Sequence, residues 1–426
     1  MLFDASILTW AYLGGPSRSG LYFVSYNILK QFAKNSRFNI TLCVNSMSDF
    51  RHYVAHLSKD AFFARFPIVS TCTEKTDIYK SNINKHKNSI CTSKNTLRKM
   101  FYLLKLIKNY FYLFIYLKSN YFTFMKSIDI YFSGMNSAPL EVNKFKSIKH
   151  FLVLHDTVPV IFPQYYPNLK NEWYTEMIES LSKKNYYFCN SENTKNDFMK
   201  YFGKKLDKNK LFVTHIASSH DFHPDYDKKK LVKILEKYKA NFENGKSYIF
   251  SFCTLEPRKN LIFTIRCFIK FIERHHIDNL YFYLGGGAWD QFIGQLNESI
   301  NNFSAYSSRI VQLGYVDDED VNILYSNSLF FTYLSQYEGF GMPPLEAMQA
   351  GTPVICSNNS SLPEVVGDAA ITIDCDSEEQ CIKAFEDLYF NENLRKEYIA
   401  RGIERAKFFS WEKTGKLMID KILEII

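Results

Sequence analysis

Two glutamates, Glu338 and Glu346, are separated by a seven-residue segment that contains two glycines and two prolines. The apolar run 327–335 predicts a buried strand before them, and the pattern over 345–350 predicts a helix. A glycine-containing turn lets backbone approach a ligand, and the helix start after it, with Pro344 near its first position, points N–H groups and a positive dipole end at a phosphate. The spacing therefore indicates a ligand site, in which Glu346 could accept hydrogen bonds from hydroxyl groups. Taken alone, the pair is equally compatible with an ordinary turn and a helix-start glutamate.

A basic pair, Arg258 and Lys259, lies between a strand pattern over 248–252 and a helix pattern over 261–274. In open α/β sheets, ligands bind at the carboxyl ends of strands, so this pair could bind a diphosphate. The alternative, a solvated surface pair, is the commoner environment for such residues.

A histidine, His155, follows the strand pattern over 151–154 and is placed in the same way. It could face substrate, or it could belong with Asp156 to an ordinary turn in which the polar groups of both residues are hydrogen-bonded. A Ser-His-Asp hydrolase is excluded because the chain lacks a Gly-x-Ser-x-Gly turn.

A glycine loop over 14–20 separates the first strand from a helix predicted over 21–32. A flexible turn is the alternative, and an NAD fingerprint is not supported because Gly-x-Gly-x-x-Gly is absent. The loops over 284–288 and 313–316 also follow predicted strands and could be nucleotide-side loops or tight turns.

Short apolar runs that alternate with longer amphipathic stretches predict an α/β protein with two largely parallel sheets. The predicted strands are 2–8, 39–44, 128–132, 151–154, 186–189 and 211–214 in the first half, then 248–252, 280–284, 310–313, 329–333, 354–356 and 370–373. At 426 residues, two domains are expected, and the 46% hydrophobic content can supply two cores. We place the first domain at 1–225, the second at 226–410 and a closing amphipathic helix at 411–426.

The charge changes sign at the predicted boundary. Residues 1–225 carry 30 Lys/Arg against 16 Asp/Glu (+14), and residues 226–426 carry 22 against 28 (−6). A basic half suggests an anionic partner such as nucleic acid, a membrane surface or a phosphate-bearing acceptor, and ordinary solvated lysines could also account for part of the excess. Nine scattered cysteines without a CxxC pair, and a start without a basic leader, predict free thiols and a cytoplasmic protein.

The most hydrophobic region, 101–124, is interrupted by lysines and asparagines, so its uncharged apolar core is too short to cross a bilayer. Two interpretations stay open. The segment is either a packed helix of the first domain or an aromatic and lysine-rich surface that lies in the membrane interface.

The segment 337–348 (YEGFGMPPLEAM), with 351–355 (GTPVI) and 361–370 (SLPEVVGDAA), closely resembles the retaining GT-B glycosyltransferases of family 4. These are the glycosyltransferase group 1 enzymes, and the resemblance is to their mannosyltransferase-like members. It covers most of residues 248–375 and continues more weakly on both sides. It implies two Rossmann-like domains with parallel sheets that face an interdomain cleft, and a last helix that crosses back to the first domain.

The resemblance also implies roles for individual residues. The catalytic set is Glu338, His155 and Lys259, and the donor-binding set is Arg258, Lys259, Glu346, Gly339, Phe340, Gly341, Met342, Gly20, Gly15 and Tyr315. Some members have an arginine where this chain has Thr254, which leaves Arg258 as the candidate second cation. No metal and no cofactor are implied, so Asp374-Cys375-Asp376 is interpreted as a structural turn.

The expected function is transfer of a hexose-type sugar from a nucleoside diphosphate sugar to a hydroxyl of a glycan acceptor, in lipopolysaccharide O-antigen or capsule biosynthesis. We expect a lipid-linked acceptor, contact with an anionic membrane at the inner face of the cell membrane, and no nucleic acid partner. Two alternatives remain: a GT-B-fold binding protein without turnover, and a glycoside hydrolase, which would leave the basic pair unexplained.

Overall fold

The computed structural model describes residues 1–10, 20–46, 51, 57–71, 78, 82, 85–86, 89–90, 92–93, 95–119, 127–166, 173–240, 246–303 and 305–426. These residues form two parallel β-sheets with helices packed on them. Strands of such sheets are covered on both faces, which explains their nearly continuous apolar sequences.

The first sheet has seven strands in the order β3-β2-β1-β4-β5-β6-β7, and all of its pairings are parallel. The strands are β1 Leu2–Asp4, β2 Thr41–Val44, β3 Ile68–Ser70, β4 Ile130–Ser133, β5 Lys149–Leu154, β6 Tyr186–Cys189 and β7 Leu211–Val213.

The second sheet has six strands in the order β10-β9-β8-β11-β12-β13, again all parallel. The strands are β8 Ser247–Phe252, β9 Leu280–Gly285, β10 Ile310–Gly314, β11 Phe331–Tyr333, β12 Val354–Ser357 and β13 Ile371–Ile373. The strand order reverses between β8 and β11, and such a switch point opens a ligand crevice at the carboxyl ends of its strands.

The described helices connect these strands. They are α1 Ser6–Trp10, α2 Gly20–Phe32, α3 Thr96–Ser119, α4 Leu140–Asn143, α5 Val158–Ile161, α6 Trp173–Ser180, α7 Glu192–Phe202, α8 Lys228–Lys237, α9 Leu261–Arg274, α10 Asp290–Asn301, α11 Asp318–Ser326, α12 Met342–Gln349, α13 Leu362–Val366, α14 Glu378–Phe390, α15 Glu392–Ala406 and α16 Trp411–Ile425.

The twelve predicted strands are all present, but two are much shorter than predicted. The first ends at Asp4, whose Oδ1 accepts a hydrogen bond from the Ser6 N–H at 3.0 Å and so turns the chain into α1. The run 327–335 begins at the end of α11, and only Phe331–Tyr333 is strand. The three-residue strand β3 was not predicted.

The last helix, α16, packs against α2 of the first domain. A Cβ at Gly415 would lie 2.4 Å from the Cβ of Gln31, so the two helices approach closely at a residue without a side chain. The Trp411 indole N–H donates to the Ser218 carbonyl at 3.1 Å. The domain boundaries at 226 and 411 stay predictions.

Helix α3 covers most of the segment 101–124, whose residues 120–124 lie outside the described part of the chain. Large apolar side chains of α3 are exposed, including Leu97, Met100, Leu104 and Ile107. Within the described residues, no helix is long and apolar enough to cross a membrane.

Candidate functional site

The basic pair lies in a short 3₁₀ turn, Pro257–Lys259, that joins β8 to α9. Asn260 follows in the left-handed conformation (φ 57°), which asparagine adopts more readily than most residues, and its side-chain amide donates to the Cys375 carbonyl at 2.7 Å. This turn directs Arg258 and Lys259 inward, and each is only 8% exposed. The solvated-surface interpretation of the pair is therefore wrong.

Glu338 lies between these two cations. Its Oε1 is 2.6 Å from Lys259 Nζ and 2.9 Å from Arg258 Nη1. The Tyr333 hydroxyl donates to the same oxygen at 2.9 Å and accepts from Lys259 Nζ at 2.7 Å. Glu256 forms a further ion pair with Arg258 at 2.5 Å, so two cations and two carboxylates share one buried cluster.

The cluster fixes the ionisation of Glu338. Burial alone would raise the pKa of this carboxyl, but the charges of Arg258 and Lys259 outweigh burial and lower the pKa to about 2. Glu338 is therefore an anion at neutral pH. Arg258 Nε is buried and has no hydrogen-bond partner among the described residues, so the guanidinium retains a donor for a ligand.

The glycine turn after Glu338 leads into α12. Gly341, with φ 112°, is the residue before the helix, and no side chain caps the N-terminus. The Met342 end of α12 therefore presents the N–H groups and positive dipole end that favour an anion. The Phe340 ring is buried against Phe409, at a centroid distance of 5.6 Å, so only its backbone is available to a ligand.

Glu346 lies one turn into α12. The Tyr325 hydroxyl donates to its Oε2 at 3.1 Å. Burial raises the pKa of Glu346 to about 7, with a smaller contribution from Asp318. The two glutamates of the motif therefore have opposite pKa shifts, because among the described residues cations lie beside Glu338 and none contributes to the shift of Glu346.

The first domain brings His155 to this cluster from the end of β5. Its Nε2 lies 2.6 Å from the Gly134 carbonyl, and burial lowers its pKa, which favours a neutral imidazole that donates this hydrogen bond. A Cβ at Gly339 would lie 2.1 Å from the His155 carbonyl oxygen, so only glycine permits this backbone contact between the two domains.

Other predicted site residues lie elsewhere. Gly20 is the first residue of α2, and no described atom lies within 4 Å of a Cβ built on it. Tyr315 follows β10, the edge strand of the second sheet, and is exposed. Gly15, with Arg18 of the same loop, lies outside the described residues. The roles of all the site residues stay predictions.

Sequence reasoning missed several members of the site. Glu256 and Tyr333 both contact the cations, and their positions at strand ends were the available signal. Tyr166 of the first domain donates to Glu256 Oε2 at 3.1 Å across the cleft. Asp374, Cys375 and Asp376 bring ligand atoms within 4.8 Å of one another, but the Asp376 N–H donates to Asp374 Oδ1, as in a simple turn.

Comparisons with known proteins identify sugar-transferring enzymes as similar to this chain. The family model described as Glycosyl transferases group 1 matches residues 233–405. The O-antigen chain mannosyltransferase B of Escherichia coli is 32% identical over 260 residues, which are 61% of this chain and 66% of that protein. The match therefore spans just under two thirds of that relative's length.

Two solved structures show the fold. WaaG, a glycosyltransferase involved in lipopolysaccharide biosynthesis, superposes with a TM-score of 0.61 at 13% identity and covers 95% of this chain and 96% of its own. Anabaena HepE, in complex with UDP and glucose, has a TM-score of 0.62 at 14% identity, with coverage of 99% and 98%. The two Rossmann-like domains with parallel sheets are thus a GT-B fold, as predicted.

Proposed function

Residues 233–405 belong to the glycosyl transferases group 1 family, and from that premise we propose that the protein transfers a hexose-type sugar from a nucleoside diphosphate sugar to a hydroxyl of a glycan acceptor. The observation that carries the proposal is the buried Arg258-Lys259 pair at the switch point of the second sheet, where Arg258 Nε has no hydrogen-bond partner among the described residues. Fixed cations at the carboxyl ends of strands suit a diphosphate.

The donor would bind in exchange for an existing ion pair. Glu338 forms ion pairs with both cations. A diphosphate that takes over Lys259 and Arg258 would release Glu338 toward the sugar, next to the point where positive charge develops as the sugar–phosphate bond breaks. The N-terminus of α12 would help to neutralise the leaving diphosphate without a metal.

The electrostatics fit this division of roles. With a pKa near 2, Glu338 cannot supply a proton at neutral pH, but it can stabilise a cationic sugar ring. Glu346 would accept hydrogen bonds from the ribose hydroxyls. For a retaining transfer, attack on the same face would let a donor phosphate oxygen take the acceptor's proton, so no protein base is required.

The buried cations weigh against a glycoside hydrolase. That reaction uses two carboxylates and needs no diphosphate site, so it would leave the Arg258-Lys259 pair without a role. A binding protein without turnover has the same residues, so only product formation separates it from an enzyme.

For the acceptor, the name of the Escherichia coli relative favours an O-antigen or a related surface polysaccharide. Such chains grow on lipid carriers, so a lipid-linked acceptor at the inner face of the cell membrane is the specific expectation. We propose that α3 provides the surface that contacts this membrane.

The exposed apolar residues of α3 form one face. Leu97, Met100, Leu104 and Ile107 recur at helical spacing, while Leu106 lies on another side and is half-buried. The 24 residues of α3 include five basic and no acidic side chains. An apolar face bordered by lysines matches an anionic lipid surface in both hydrophobicity and charge.

The membrane contact is tested by co-sedimentation with anionic and with neutral liposomes. The wild type should bind the anionic vesicles, and a Leu104→Ser/Ile107→Ser variant should lose most of that binding. Leu417→Ser, which alters an exposed leucine on α16, serves as the matched control. Wild-type binding to neither vesicle would reject the membrane contact and leave the transfer reaction untouched.

The transfer reaction is tested with a panel of nucleoside diphosphate sugars and a synthetic lipid-linked glycan. Product with the α-anomeric configuration of an α-linked donor, seen by NMR, would support retention. Nucleotide binding without product from any donor and acceptor pair would favour the binding protein.

A further inference from the structure

The turn after Glu338 is held by two hydroxyl groups of the other domain. Ser191 Oγ donates to the Gly339 carbonyl at 2.7 Å. Thr194 Oγ1 lies 3.1 Å from the same carbonyl and 3.1 Å from the His155 carbonyl. Both side chains are fully buried, so these neutral hydrogen bonds lie inside the contact between the domains.

The two hydroxyls belong to the start of α7. Ser191 is the residue before the helix, and its Oγ also accepts from the Thr194 N–H at 3.0 Å. This arrangement leaves each hydroxyl with little rotational freedom. The position of the Gly339 carbonyl, and with it that of Glu338, is therefore tied to α7.

A second contact fixes the same helix end. Glu364 of the second domain accepts hydrogen bonds from the N–H groups of Glu192, at 2.8 Å, and Asn193, at 3.3 Å. His215 Nε2 lies 2.6 Å from its Oε1. A carboxylate at a helix N-terminus is favourable, so Glu364 helps to orient α7 relative to α12.

We propose that Ser191 and Thr194 are positioning residues for the proposed transfer reaction. By holding the Gly339 carbonyl, they would fix the position of Glu338 relative to His155 when the domains are closed. On opening, water can replace each hydrogen bond, so the contact is reversible. The inference rests on the proposed function for its kinetic part and on geometry alone for its structural part.

The expected change in the balance between closed and open domains follows from the number of hydrogen bonds that are lost. A net hydrogen bond changes an equilibrium by about 2- to 10-fold, so loss of both hydroxyls should lower the ratio of closed to open protein by about 4- to 100-fold. The nucleotide site lies in the second domain, so its affinity should change by about twofold or less.

The experiment compares the wild type with a Ser191→Ala/Thr194→Val variant. We expect kcat for transfer to fall about 10-fold or more while nucleotide affinity is retained. The fraction of donor that is hydrolysed should rise, because an open cleft admits water. Thr194→Ser keeps the hydroxyl, so this variant should retain most of the transfer rate that Thr194→Val loses.

Ser377→Ala is the matched control. Ser377 caps α14 by accepting from the Gln380 N–H, as Ser191 does for α7 with the Thr194 N–H, but among the described residues its hydrogen bonds stay within 374–381. Its loss should lower stability by a similar amount without changing kcat or the hydrolysed fraction. If Ser191 and Thr194 acted only on helix stability, the double variant and Ser377→Ala would have the same kcat and the same hydrolysed fraction.

Small-angle X-ray scattering gives a readout that does not depend on turnover. The double variant should have a larger radius of gyration than the wild type and the Ser377→Ala control. Wild-type compactness together with wild-type kcat in the double variant would overturn the positioning role. Absence of transfer in the wild type would instead overturn the proposed function, so the two failures are distinguishable.

Discussion

The two halves of the cleft are built from different chemistry. The second domain contributes buried charges, with Arg258 and Lys259 paired to Glu338 and Glu256. The first domain contributes the His155 imidazole, the Ser191 and Thr194 hydroxyls and the Asp156 carboxyl. The half that carries the candidate phosphate site is thus the one with the negative net charge of −6, and these contacts from the half with +14 include no lysine or arginine.

This contrast shows that net charge does not locate an anion site. The cations of the cluster are compensated by nearby carboxylates, so they add little to the overall balance of the second domain. Described lysines of the first half such as Lys99, Lys105 and Lys108 of α3 are exposed, where they can act on partners at longer range. The predictions below test this division, from the largest effect to the smallest.

Removal of the central carboxylate should have the largest effect. We expect Glu338→Ala to lower the transfer rate by about 100-fold or more, because a charge aimed at the developing cation is lost. Initial rates measured with saturating donor would show it, with circular dichroism to confirm the fold. Unchanged turnover would remove Glu338 from the mechanism.

Loss of one cation should affect binding next. Lys259→Ala should weaken nucleoside diphosphate binding by about 10- to 100-fold, since a charged hydrogen bond contributes about 1.5–3 kcal/mol. A thermal-shift screen of UDP, GDP, ADP, dTDP and CMP would measure this and identify the base. Lys204→Ala, an exposed lysine of the basic half, is the control and should leave affinity unchanged. Equal losses in both variants would contradict the division between the halves.

The smallest expected effect concerns Glu346. Its folded pKa of about 7 lies above the ordinary value of 4.5, so the wild type loses free energy of unfolding as pH rises from 4.5 through 7. Glu346→Gln should therefore be more stable than the wild type at pH 8, by about 1 kcal/mol, and the difference should shrink at pH 5. Urea unfolding at both pH values measures this, with Glu298→Gln as an exposed control. A pH-independent difference would show that Glu346 is not held at a raised pKa.

Much of the second domain could be predicted because its strands are continuous apolar runs with glycine or proline after them. The sequence motif also located the turn between β11 and α12. The partners of Arg258 could not be predicted, because Glu338 lies far along the chain and meets it only when β8 and β11 pair. The short strand β3 and the turn at Asp4 were missed since each depends on a few local contacts.

The first domain was less predictable for the same physical reason. The Ser191 and Thr194 pair matched only a helix N-cap pattern, and their contact with Gly339 depends on how the two domains meet. In the second domain, Phe340, which was expected in the donor site, has its ring in the core, and no local pattern in the sequence distinguishes the two positions.

The most direct test of the account is a calorimetric titration of the matching nucleoside diphosphate into the wild type and Glu338→Gln. Glu338 forms ion pairs with Lys259 and Arg258, so a diphosphate that contacts both cations must displace it. Since glutamine removes the competing charge and keeps the side-chain volume, we predict that the variant binds the nucleotide about tenfold more tightly than the wild type, while transfer is lost. Equal or weaker binding by Glu338→Gln would contradict the claim that the diphosphate takes the place of Glu338 on the two cations.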